Sequence, residues 1–156
     1  MRLSDILTTD RIVVDDDGGV VPDKAAALRL LAGMLGPAVA VEPARVETLL
    51  IERERLQSTG IGDGVAIPHA TADTAAGHAA ALLLCPSGVD FEAIDGAVVS
   101  IIFGVVAPKR SAGDHLKVLA RISRLLRNER ARVELVRSVS PGSALSFIES
   151  QENGMR

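Results

Sequence analysis

The stretch from Ser58 to His69 gathers the groups best suited to handle an anion. Ser58 and Thr59 offer hydroxyl donors. Gly60, Gly62 and Gly64 alternate, which lets backbone N–H groups come close to a negative charge. His69 closes the segment behind the rigid Pro68, and Arg53 lies about one helical turn upstream of the loop. Hydroxyls, backbone donors, a guanidinium and an imidazole suit a phosphoryl group held against a nitrogen nucleophile. The glycines are not a dinucleotide fingerprint, since no strand precedes them and no helix clearly follows. They are not a P-loop, since no Gly-Lys-Ser/Thr ends the run. By themselves they equally describe a flexible loop.

Two helices must deliver the remaining candidates. One starts near Glu42-Pro43, with proline in the first turn, and runs to about Leu56. Its stripe of Val46, Leu49 and Leu50 reaches Arg53 at the next step. Either the Arg53 stem lies on the core and its head snorkels outward, or the guanidinium is aimed into a cleft that receives an anion. A later helix, about Ala112 to Leu126, places His115, Leu119, Ile122 and Leu126 on one face, with Asp114, Lys117, Arg121 and Arg124 opposite. His115 therefore points inward near a helix start, where an anion is favoured; a satisfied core histidine is the plainer alternative. His78 opens a strand among small residues and is assigned no role. A zinc site from His69, His78 and His115 would lack the cysteines or short paired spacing of metal motifs. No metal ligand and no cofactor are assigned.

The rest of the chain supplies the frame. Arg11-Ile12-Val13-Val14 is a short β-branched run closed by the turn Asp15 to Gly19. Asp23 caps a helix to about Leu35, which Gly36-Pro37 stops. Val65 to His69 is short and extended. Ala79 to Cys85 and Val98 to Val106 are buried strands, with turn signals between them at Pro86-Ser87-Gly88 and Asp95-Gly96. After the loop from Pro108 to Gly113 come the His115 helix, a helix from about Glu129 to Val139, a break at Pro141-Gly142, and a last helix ending near Ser150. Residues 1–150 read as one domain, and 151–156 as a frayed C-terminal tail. Interspersed strands and helices give an α/β (α+β) class with a central sheet flanked by helices. The middle strands are too close in sequence for every connection to be a helical crossover, so the sheet is mixed.

Composition excludes several functions. The 156 residues carry 17 Lys plus Arg against 20 Asp plus Glu, a net charge of −3. A bulk electrostatic grip on nucleic acid or an anionic membrane is not expected. With no Trp, no Tyr and three Phe there is almost nothing to stack on bases. The longest apolar stretch, Ala79 to Cys85, is far short of the roughly 20 residues that span a bilayer, and Met1 to Leu7 is too polar for a signal-peptide core. The single cysteine, Cys85, excludes an intrachain disulfide and suits a reducing cytoplasm. It reads as a buried inert thiol.

The segment Arg53 to Ala70, ending Ala66-Ile67-Pro68-His69, resembles the active-site segment of fructose/mannitol-type enzyme IIA domains of the bacterial phosphotransferase system, the nitrogen-regulatory branch most of all. Phe91 to Pro108 is similar to the family's sheet segment, and His115 to Ala120 to its His-Leu helix, so the resemblance runs from about Leu3 to Ile148. Gln57 and Ala70 stand where many members carry glycine. The resemblance implies a mixed sheet flanked by helices, His69 as phosphoacceptor, His115 as a second active-site histidine supporting the phosphoryl group, and Arg53 as a charge-neutralising contact. Ser58 and Thr59 match the motif as phosphate-binding hydroxyls. The donor would be a histidine-containing phosphocarrier protein resembling HPr, and the output a regulated target or a separate IIB. The expected function is a cytoplasmic phosphohistidine relay, not small-molecule turnover. The alternatives are the IIA component of a sugar permease and a non-catalytic interaction module. Ile61, Val65 and Ala70 are candidates for an apolar docking rim around His69.

Overall fold

Two long apolar strands form the axis of the molecule, whose computed structural model describes residues 1–154. β5 (Ala79–Val89) and β6 (Val99–Pro108) pair antiparallel, Ala79 opposite Val106 and Leu84 opposite Ile101. Their side chains alternate between two cores. Ala81, Leu83, Cys85, Ile102 and Val106 face one, while Ala80, Leu82, Leu84, Phe103 and Val105 face the other. Burial on both faces explains why these strands read as uninterrupted apolar runs.

Around this pair stand β1 (Ile12–Val14), parallel to β5, and β3 (Val65–Ala66) and β4 (His69–Ala72), both parallel to β6 along its free edge. β2 (Gly60–Gly62) pairs antiparallel with β3. The six-stranded sheet is mixed, as the short connections require.

Helices α1 (Lys24–Ala38) and α2 (Pro43–Leu56) cover one face; α3 (Ala112–Arg127), α4 (Glu129–Val136) and α5 (Pro141–Gly154) cover the other. Asp23 caps α1 through the Ala26 N–H at 2.8 Å. The turn after β1 is built by the buried Asp15 carboxylate, which accepts from the Val20 and Val21 N–H groups.

Five boundaries differ from the sequence reading. β5 does not turn after Cys85 but runs through Pro86-Ser87-Gly88 to Val89, its register slipping between Leu84 and Val89. α4 ends at Val136, short of Val139. α1 runs past Gly36-Pro37 to Ala38: Pro37 forfeits one N–H, and the Gly33 carbonyl it would have met belongs to an exposed residue that water can serve. The glycine-studded loop contains a strand: Asp63 and Gly64 take successive positive φ of 58° and 75°, the signature of a type I′ hairpin turn, so Gly62 meets Val65. The tail expected to fray from Gln151 is helical to Gly154 and includes the buried Glu152; Met155 and Arg156 lie outside the described residues. No helix among the described residues is long and apolar enough to cross a membrane.

Candidate functional site

Pro68 creates the site by interrupting a strand. β3 and β4 follow the same edge of β6, and proline cannot donate to the ladder. The backbone bridges the break with two bonds, Ile67 N–H to the Thr59 carbonyl and Val105 N–H to the Pro68 carbonyl, each 3.0 Å. His69 opens β4 opposite Val105, on the sheet face packed by α3. Its Nδ1 lies 2.6 Å from the Ile67 carbonyl. A carbonyl only accepts, so Nδ1 carries the proton and Nε2 keeps a lone pair.

His115, at the start of α3, is 7% exposed. Its ring centroid is 5.7 Å from that of half-buried His69, the planes inclined by 53°. The inward face read from the helix period is therefore correct, with Val118, Ile122, Leu125 and Leu126 continuing it into the core. Both imidazoles titrate low. Burial lowers His69, and the Arg53 charge adds to that, while the Ile67 hydrogen bond and Glu54 oppose it. Burial pushes His115 down to about 4, with the charges of His69 and His78 adding to it. Each ring is neutral at pH 7, as a nitrogen nucleophile and an N–H donor require.

Arg53 is half-buried at the end of α2. Its Nη1 donates to the Gln57 carbonyl at 2.9 Å, which leaves further guanidinium N–H groups and a charge felt at His69. The two readings of Arg53 meet here: its head caps the helix C-terminus, and its charge reaches the histidine. Gln57 has φ −171°, an extended conformation open to any residue, so the loop does not need a glycine there.

The hydroxyls of Ser58 and Thr59 are turned to internal partners. Ser58 Oγ donates to the Phe91 carbonyl at 2.8 Å and accepts from the Gly60 N–H at 3.1 Å. Thr59 is buried, and its hydroxyl donates to the Glu54 carboxylate. In this conformation neither hydroxyl proton is free to meet an anion. Two of the three expected rim residues are also inside: Val65 points into the core under α3 and Ala70 into the core under α1 and α2. Strand alternation sends them there. Ile61 is exposed, and so is Leu116, beside His115.

Sequence reasoning missed Glu54 and the Ile67 carbonyl. The signal for Glu54 was present, since Val46, Leu50 and Glu54 follow i, i+4, i+8 and all three are buried, which puts a carboxylate on the apolar stripe. It also missed that His78 stands near enough to press on His115; the Nδ1 atoms of His78 and His115 are buried with no hydrogen-bond partner. Among the described residues no group of three or more His, Cys, Asp or Glu is arranged to hold a metal ion. Cys85 is buried and its thiol is pushed up to about 12, chiefly by burial, the condition of an inert cysteine. A broad groove between α1 and α2, lined by Lys24, Leu30, Met34, Ile51, Glu54 and Ser58 among others, includes neither His69 nor His115.

A family model described as phosphoenolpyruvate-dependent sugar phosphotransferase system, EIIA 2, matches residues 5–151. The chain is 33% identical over 157 residues to the nitrogen regulatory protein of Pseudomonas aeruginosa, covering 99% of both. It is 30% identical over 155 residues to the PTS system fructose-specific EIIABC component of Bacillus subtilis, covering 97% of this chain and 24% of that protein. The crystal structure of nitrogen regulatory protein IIA-Ntr from Neisseria meningitidis superposes with a TM-score of 0.86 at 30% identity, covering 93% of this chain and 97% of that one.

Proposed function

The chain belongs to the EIIA type-2 family of the phosphoenolpyruvate-dependent sugar phosphotransferase system, and from that premise we propose that it is a cytoplasmic phosphocarrier of the nitrogen-regulatory kind. In this reading His69 accepts a phosphoryl group from a phosphohistidine on an HPr-like carrier, and the phosphorylation state is read by a partner protein. The observation that supports it most is the pairing of His69 Nδ1 with the Ile67 carbonyl, which leaves Nε2 as the nucleophile beside a second, neutral imidazole.

The step is an in-line displacement. The Nε2 lone pair forms a bond to phosphorus as the N–P bond of the carrier breaks, and the carrier imidazole leaves with that electron pair. His69 retains its Nδ1 proton throughout, so its ring becomes a phosphoimidazolium whose N–H still rests on the Ile67 carbonyl. The carrier ring returns to neutrality with the proton it already held, and no proton is gained or lost. The transfer exchanges one phosphohistidine for another and is therefore near balance. Arg53 and His115 meet the charge of the transferring group. Ser58 and Thr59 contribute through the shape of the loop. Ile61 and Leu116 belong to the surface that receives the carrier.

Incubation with phosphoenolpyruvate, enzyme I and an HPr-like carrier should add one acid-labile phosphate. His69→Ala should abolish uptake while leaving the circular dichroism spectrum unchanged; label retained by that variant overturns the assignment. The likeness to the fructose-specific EIIABC component supports a second reading, a permease IIA. Rapid transfer onward to a purified fructose-type IIB would favour it.

A further inference from the structure

Glu54 is 8% exposed, and its charge has no place in the transfer just described. A carboxylate taken out of water is costly unless it is paired and fully hydrogen-bonded. Glu54 meets both conditions. Lys24 Nζ is 2.8 Å from one oxygen, the Thr59 N–H donates at 3.2 and 3.3 Å, and the Thr59 hydroxyl completes the set. Lys24 is itself held, its ammonium 5.0 Å from the centroid of the buried Phe91 ring. The Phe91 carbonyl in turn takes the Ser58 hydroxyl, one residue before Thr59.

An unbroken path leads from this pair to the histidine. The Thr59 carbonyl accepts the Ile67 N–H at 3.0 Å, and the Ile67 carbonyl accepts His69 Nδ1–H at 2.6 Å. We propose that Glu54, held by Lys24, is a positioning residue for phosphoryl transfer: it fixes Thr59, Thr59 places the Ile67 carbonyl, and that carbonyl holds His69 in the tautomer with Nε2 free. The inference rests on the reading of His69 as phosphoacceptor. A glutamine at position 54 cannot substitute, because its amide replaces one acceptor oxygen with two N–H donors facing the donors of Lys24 and Thr59.

The test uses the full chain with Glu54→Gln, Lys24→Met and Lys24→Arg. Nitrogen-15 spectra of the histidine rings report the His69 tautomer with no partner present. Rapid-quench uptake from a phosphorylated HPr-like carrier, over a range of carrier concentrations, separates the maximal rate from the half-saturating concentration. Glu54→Gln is expected to turn a single Nδ1–H form into a tautomer mixture. It should cut the maximal rate by about tenfold or more, with the half-saturating concentration little changed. Lys24→Met should move both readouts the same way, and Lys24→Arg should restore them. A folded Glu54→Gln protein with the wild-type tautomer and maximal rate overturns the proposal, as does a loss confined to the half-saturating concentration. If Glu54→Gln fails to fold, Thr59→Val removes only the hydroxyl contact and must shift the tautomer in the same direction; an unchanged tautomer overturns the proposal. If wild-type His69 accepts no phosphate, the functional reading fails on its own, and the tautomer measurement still decides whether Glu54 positions the ring.

Discussion

Arg53 serves the helix end and the histidine at once, and the two roles separate on substitution. Its bond to the Gln57 carbonyl satisfies the end of α2, where a cation is favoured. Its charge lowers the His69 pKa. Arg53→Met keeps much of the stem, so it should raise the His69 pKa in an NMR titration and slow phosphoryl uptake by about 10–100-fold. A wild-type rate would leave Arg53 with packing alone. His115 makes a different prediction. Its pKa in the folded chain is about 4 against 6.5 when exposed, so between those values the unfolded chain binds more protons. Stability should be complete above about pH 6.5 and fall toward pH 4, by up to about 3 kcal/mol. His115→Asn should flatten that decline, as read from urea midpoints across the pH range. The placing of His69, His115 and Arg53 near one another was legible because a histidine behind a proline and polar side chains on apolar stripes break a pattern. Glu54 was passed over although it continues the stripe of Val46 and Leu50, because it stands in a charged run with Glu52, Arg53 and Arg55 that reads as a solvated face.

The loop of β2 and the hairpin behind it depend on one close approach. A Cβ on Gly60 would stand 2.8 Å from Ala93 Cβ and 2.9 Å from Ala93 Cα. Ala93 cannot retreat easily, since the Ile94 N–H is bonded to the Gly60 carbonyl and the Gly96 N–H to the Ala93 carbonyl. Gly60→Ala should therefore cost roughly 1–3 kcal/mol by overpacking and slow phosphoryl uptake, because Thr59 moves with it. Gly33 is the contrasting case. It is exposed in the middle of α1 with nothing within 4 Å of a built Cβ, so Gly33→Ala should stabilise by roughly 0.5–1 kcal/mol and leave uptake unchanged. Urea unfolding of both variants checks the pair. The helices were readable because their caps and periods are local: Asp23, Pro43 and the His115 face all stand where the sequence places them. The Asp63-Gly64 hairpin was hidden, although Asp-Gly is a strong turn signal, because its strands are only three and two residues long. No alternation can establish itself over that length, and the strands exist only because β6 offers an edge to pair with.

At the scale of the molecule, the last turn of α5 closes the fold on its own beginning. Glu152 is 7% exposed, and its carboxylate accepts from the Leu3 N–H at 2.6 Å and the Ser4 N–H at 3.0 Å, with Arg121 of α3 3.8 Å away. Leu3 is buried beside Ile6 and Leu7 in the core under α3, and Arg11 ties the same segment to the sheet through the Ile6 and Ala80 carbonyls. One side chain near the C-terminus thus joins the first turn, α3 and α5. Composition could not reveal this, because Gln151-Glu152-Asn153-Gly154 is polar enough to read as a solvated end, and the N–H groups that it satisfies lie about 150 residues away. Ending the chain after Ser150 should leave the Leu3 N–H without a partner in a buried position, a loss of about 1–3 kcal/mol. Ending it after Gly154 retains the contact and should match the full-length midpoint in urea. Glu152→Gln separates the carboxylate from the helix, since it keeps α5 intact but offers one acceptor oxygen to two donors. A midpoint between those of the two truncated chains is expected. Its His69 uptake rate should stay at the wild-type value, because the bonds of Glu152 go to Leu3, Ser4 and Arg121 and none goes to segment 59–67, which holds the ring.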